Sequence, residues 1–179
     1  MTVDAPLDEA DPGRSRSLKL KIKERIDASE RHIAALQQAM SQFGQKFDLS
    51  RFVEAFSSSD PIELNKVKAV ERGSEQLYNY MAEIGAFGLE LATLRMTTEE
   101  ANARRDFDTL ARAGVLNKTQ RVRLQRLREL RRNLVHEYPG VAAKDAHEAA
   151  ILAVSEYRRF IRSFADWMRA GFPGSAQKL

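Results

Sequence analysis

The sequence predicts an all-α fold, an up-and-down bundle of about five helices in one domain. Three observations carry that prediction. Apolar residues recur three, four and seven positions apart through most of the 179 residues, the period of helices with one buried face. No stretch alternates with period two for long enough to make a strand. Proline and glycine stand mainly where the periodic runs start and stop. The length suits a single domain, since a chain of roughly 150 ordered residues buries about 68–70% of its unfolded surface. The lack of cysteine excludes a disulfide framework and thiolate metal centres.

Residues 1–16 mix Asp4, Asp8, Glu9 and Asp11 with Pro6, Pro12 and Gly13. Such a segment is too poor in large apolar groups to offset its ordering entropy, so a disordered leader is expected. A helical domain follows over 17–171, then a flexible tail over 172–179. Ile22, Ile26, Ile33, Leu36, Met40 and Phe43 give the first helix its buried face, and Gly44 closes it. Residues 45–59 read as a connection. Asp60-Pro61 then supplies an N-cap side chain followed by proline at the first helical position. The second helix turns Leu64, Val67, Val70, Leu77, Met81, Ile84, Leu91 and Leu94 inward. Within it, Gly85 and Gly88 flank Phe87 and either kink the helix or admit another close to its backbone.

A short third helix is expected over about 99–112, entered at Thr97 or Thr98 and ended by Gly114. The fourth runs from about Lys118 to Tyr138, where Pro139-Gly140 stops it. The fifth spans about Ala143 to Ala170, with Ile151, Val154, Tyr157, Ile161, Phe164 and Met168 on one stripe. Gly171, Pro173 and Gly174 terminate it. The longest run without a formal charge, His32 to Gln45, is too short and too rich in glutamine to span a bilayer, which needs about 18 apolar residues. The acidic, polar N-terminus does not read as a secretory signal, so a cytoplasmic, membrane-free location is expected.

The fourth helix carries the chemistry. Between Lys118 and Tyr138 it has seven basic residues against two acidic ones, Glu129 and Glu137. At about 100° per residue, Leu124, Leu127, Leu130, Leu134, Val135 and Tyr138 fall in one apolar arc. Lys118, Arg121, Arg128 and Arg132 gather on another side and suit the phosphates of RNA. Arg131 lands inside the apolar arc. A guanidinium there loses several kcal/mol of hydration unless a partner or a solvent-filled cleft receives it. His136, one turn beyond Arg132, lies on or near the basic side, and close cations favour its neutral, base-competent form. A histidine and an arginine together suffice for RNA transesterification without a metal or other cofactor. One moves protons while the other stabilises charge on the transition state. A solvated face or a general anion-binding surface would display the same arginine-rich pattern.

The string Arg131-Arg132-Asn133-Leu134-Val135-His136-Glu137-Tyr138 resembles the signature of the HEPN superfamily, an arginine separated by four to six residues from a histidine. Its ending, His136-Glu137-Tyr138, is similar to the narrower HepT branch, in which a tyrosine stands two residues beyond the histidine. Asp60-Pro61 with Lys68-Ala69-Val70-Glu71-Arg72 resembles the second helix of that branch, and Phe107 to Leu116 the element before its motif helix. The resemblance implies a HEPN-like bundle that dimerises, with motif residues of both protomers in a shared cleft. It implies a metal-independent ribonuclease toxin, neutralised by a MntA-type nucleotidyltransferase that transfers AMP to the motif tyrosine. By position, Arg131 and His136 would be catalytic, Arg132 and Asn133 would support the cleft, and Tyr138 would accept AMP.

The family usually has asparagine directly after the arginine, where this sequence has Arg132. Either Arg131 is the catalytic arginine with Arg132 in the asparagine's place, or Arg132-Asn133 is the pair with one residue lost. The first keeps the four-residue gap and accounts for Arg131 in the apolar arc. A HEPN domain that binds nucleotide, RNA or a partner without cutting is the alternative function. His32 and His147 have no second ligand at metal spacing, and Asp106 and Asp108 do not face each other on a helix. Phe160 and Trp167 read as core or dimer contacts.

Overall fold

The structure, a computed structural model, describes residues 11–93, 107–134 and 139–172. Six helices are present among them, with no strand: α1 Pro12–Ser41, α2 Leu49–Phe56, α3 Pro61–Thr93, α4 Phe107–Arg112, α5 Lys118–Leu134 and α6 Pro139–Arg169. The all-α class is as the sequence predicts. The longest contact runs between α1 and α3; α6 packs against both α3 and α5.

Local signals set most boundaries. Asp60 accepts a hydrogen bond from the Ile62 amide at 2.9 Å and opens α3 at Pro61, as expected. Gly44, at φ +100°, and Gly114, at φ +79°, follow α1 and α4 in the left-handed conformation that an L side chain resists. A reciprocal capping box opens α5: Asn117 Oδ1 accepts from the Gln120 amide at 2.9 Å, and Gln120 Oε1 accepts from the Asn117 amide at 3.0 Å.

Four expectations need correction. The leader expected over 1–16 is helical from residue 12, because Asp11 caps α1 by accepting from the Arg14 amide at 3.0 Å and Pro12 takes the first position. Phe172, expected as the first residue of the tail, packs edge-on against Trp167 with ring centroids 4.9 Å apart, and residues 173–179 lie outside the described residues. The connection over 45–59 contains α2, capped by Asp48 and held by the burial of Phe52 and Ala55. Pro139 opens α6 instead of merely stopping the helix before it, a role proline fills without loss because a first-turn amide has no helical partner. The third helix is described only over 107–112; residues 94–106 lie outside the described residues.

The core stripe of α6 also differs. Tyr157 and Phe164 are buried, but Ile151 is 44% exposed, and the face in the core is Ala146, Ala149, Ala150 and Ala153 continuing into Phe160 and Trp167. Phe160 and Trp167 are therefore core residues, with the Trp167 indole donating to the Ala113 carbonyl at 2.8 Å. His147 stacks on Phe47 at 4.3 Å and its Nε2 lies 2.7 Å from the Phe47 carbonyl oxygen, while His32 tilts against Tyr80. Both histidines pack as structural groups.

Candidate functional site

Helix α5 is amphipathic in a strict sense. Leu124, Leu127 and Leu130 are buried to within 1% and fix its orientation on the bundle. The remaining positions are mainly charged, and the structure sorts the bases into two groups. Four have acidic partners on other helices. Arg121 meets Asp108 of α4 at 2.7 Å, Arg123 meets Glu156 of α6 at 3.0 Å, Arg126 meets Glu148 of α6 at 2.8 Å, and Arg131 meets Glu75 of α3 at 2.9 Å. Lys118, Arg128 and Arg132 have no ion pair among the described residues and are exposed.

Arg131 is not sunk in the apolar arc as expected. Its side chain is 37% exposed, at the arc's edge, where α3 meets it. Nε and Nη2 both donate to Glu75 Oε1, at 3.2 and 2.9 Å, and the guanidinium carbon lies 5.0 Å from the centroid of the Tyr78 ring. Turn-by-turn angles place Arg131 among leucines but cannot show that the neighbouring helix offers a carboxylate and an aromatic face there. The desolvation problem is thus solved by a partner and by solvent together.

A cleft of about 620 Å³ opens beside this pair, lined by Tyr78, Gln125, Arg128, Glu129, Arg131 and Arg132. Three of the predicted residues, Arg128, Arg131 and Arg132, are brought together in it. Lys118 and Arg121 are not: they sit toward the other end of α5, and Arg121 is engaged by Asp108. Sequence reasoning missed Glu75, Tyr78 and Gln125. Gln125 donates to Asp108 at 2.8 Å and so ties the cleft wall to α4. The i and i+3 spacing of Glu75 and Tyr78 on one side of α3 was available as a signal, but nothing in it pointed to α5. Asn133 lies in the last described turn of α5. His136 and Tyr138 lie outside the described residues.

Three arginines around an open cleft make a receptor for anions, phosphate above all, because guanidinium groups pair with phosphate oxygens through two parallel hydrogen bonds. No group of three or more His, Asp or Glu residues able to hold a metal ion occurs among the described residues, and no described helix is long and apolar enough to cross a membrane. The family model described as Ribonuclease HepT-like matches residues 47–164, which run from the end of the α1–α2 turn through most of α6 and include the whole arginine-to-tyrosine string. No curated protein and no solved structure matches the chain.

Proposed function

Because this chain belongs to the HepT-like ribonuclease family, we propose that it is a toxin that cleaves RNA in the cleft beside α5, with Arg131 and His136 as its catalytic residues. The observation that carries the reading is the placement of Arg131, partly exposed at the edge of a cleft that it shares with Arg128 and Arg132. His136 stands five residues further on. In the reaction the ribose 2′-oxygen bonds to phosphorus and the bond from phosphorus to the 5′-oxygen breaks. His136 takes the 2′-hydroxyl proton or supplies one to the leaving oxygen, and Arg131 stabilises the charge that accumulates on the phosphoryl oxygens. Arg128 and Arg132 hold flanking phosphates, and Asn133 supports the cleft. No metal has a step in this route.

The family resemblance extends the proposal to control. A MntA-type nucleotidyltransferase would transfer AMP from ATP to the Tyr138 hydroxyl, releasing pyrophosphate. The added phosphate would carry negative charge and bulk into a site built for the substrate's own phosphate. A homodimer would place two such motifs against each other, and the action would be cytoplasmic.

Expression of the wild-type chain alone is expected to arrest growth and degrade RNA, and His136→Ala to abolish both. Undiminished toxicity from His136→Ala would reject nuclease chemistry and leave non-catalytic binding as the activity.

A further inference from the structure

We infer that Glu75 and Tyr78 of α3 are positioning residues that aim the Arg131 guanidinium into the cleft; the inference rests on the ribonuclease reading and deepens it. A guanidinium has a plane and separate donor edges, and each is accounted for here. The Nε–Nη2 edge is taken by Glu75 Oε1 through two hydrogen bonds. The guanidinium carbon lies over the Tyr78 ring, 5.0 Å from its centroid. Nη1 has no hydrogen-bond partner among the described residues, and Arg131 lines the cleft. The free edge is the one that a phosphate can pair with while the Glu75 contact stays intact.

The platform is rigid where it needs to be. Tyr78 is 5% exposed and its ring meets Phe107 of α4 edge-on, centroids 5.5 Å apart at 84°. An arginine side chain on its own samples many rotamers, and its charge would find a phosphate in many orientations. Held on one edge and one face, it presents a single orientation, the condition under which a misplacement of about 1 Å matters for rate. Glu75 touches no substrate in this arrangement; it acts through Arg131.

The test uses the full chain, a fluorogenic RNA, and proton–nitrogen NMR of arginine side chains with the Arg131 signal assigned by its loss in Arg131→Lys. Glu75→Ala should lower kcat about 10- to 100-fold with KM nearly unchanged. Glu75→Gln, whose amide oxygen can accept the same two hydrogen bonds, should recover most of the loss. The Arg131 Nε–H resonance should be slow to exchange in the wild type and in Glu75→Gln, and fast in Glu75→Ala. A lower KM in Glu75→Ala would overturn the inference, because Glu75 would then be competing with phosphate for Arg131. If the wild type cleaves no RNA, the ribonuclease reading fails separately. The NMR arm then decides: equal Nε–H exchange in wild type and Glu75→Ala sinks the positioning role, and faster exchange in Glu75→Ala sustains it.

Discussion

Tyr157 is 1% exposed, and the interior has to satisfy its hydroxyl. The phenol donates to Glu30 Oε1 at 3.1 Å and shares a 2.6 Å hydrogen bond with Ser29 Oγ, which also lies 2.8 Å from the Ile26 carbonyl oxygen. Burial, with the Glu30 carboxylate adding to it, pushes the phenol up to about 12, against the opposing effect of the hydrogen bond with Ser29. A folded value above the unfolded one, about 10, means that the contribution to stability is complete below that pH and is lost as pH rises through about 12. Tyr157→Phe should therefore be about 1 kcal/mol less stable at neutral pH. In urea melts at rising pH the gap to wild type should close across that alkaline window; a constant gap would mean that the phenol is not the group responsible.

Glu156 is shifted in the same direction but is less fully satisfied. It is 1% exposed, Arg123 and Arg159 both donate to its Oε1, and Oε2 has no hydrogen-bond partner among the described residues. Burial raises its pKa and Arg123 only partly opposes it. The ionised form is thus the unfavourable one, and stability contributed by the neutral form is lost as pH rises through the folded value. Glu156→Gln should be as stable as wild type at neutral pH or up to about 1 kcal/mol more stable. Its advantage should shrink as pH falls; an advantage that grew in acid would show that the carboxylate, not the acid, is the favoured form.

Among elements, the contact of α3 with α6 depends on a missing side chain. A Cβ built on Gly88 would lie 2.6 Å from Phe164 Cζ, and one on Gly85 would lie 2.5 Å from Leu110 Cδ1. Both are far inside van der Waals contact, and Phe164 is buried with no room to retreat. Gly88→Ala should destabilise by about 1–3 kcal/mol despite alanine's better helix propensity. A thermal melt that rose instead would mean that the helices can part without loss. Close approach at these glycines was legible in the sequence, because a glycine inside a strongly periodic helix needs a reason. The inward face of α6 was not. Ile151 suggested itself by its size, yet helices that approach closely select alanine, and hydrophobic weight is a poor guide where space is short. Helix α2 was hidden by its length: eight residues carry barely two turns of periodicity, and only the Asp48 cap marked a start.

For the whole molecule, a net charge of +4 says little, and what matters is which bases the fold has already spent. The sequence made the fourth helix legible as a basic helix and supplied its arginine–histidine spacing. It could not show that Arg121, Arg123, Arg126 and Arg131 would each face a carboxylate on a neighbouring helix, because that depends on packing between distant segments. Arg128 and Arg132, the cleft cations with no ion pair among the described residues, are those whose binding to RNA would release counterions at no expense in those ion pairs. Each phosphate neutralised on a single strand changes the slope of log affinity against log salt by about 0.7. In a His136→Ala background that leaves RNA uncut, Arg128→Ala and Arg132→Ala should each make the slope shallower by about that amount, alike for all RNA sequences. Arg126→Ala should leave it unchanged, since Arg126 Nε and Nη2 already grip both oxygens of Glu148 at 3.0 and 2.8 Å. Fluorescence anisotropy of a labelled single strand between about 50 and about 200 mM salt measures this directly. A slope that moved with Arg126 but not with Arg128 and Arg132 would put the RNA on the α6 side of the helix, away from the cleft and from Arg131.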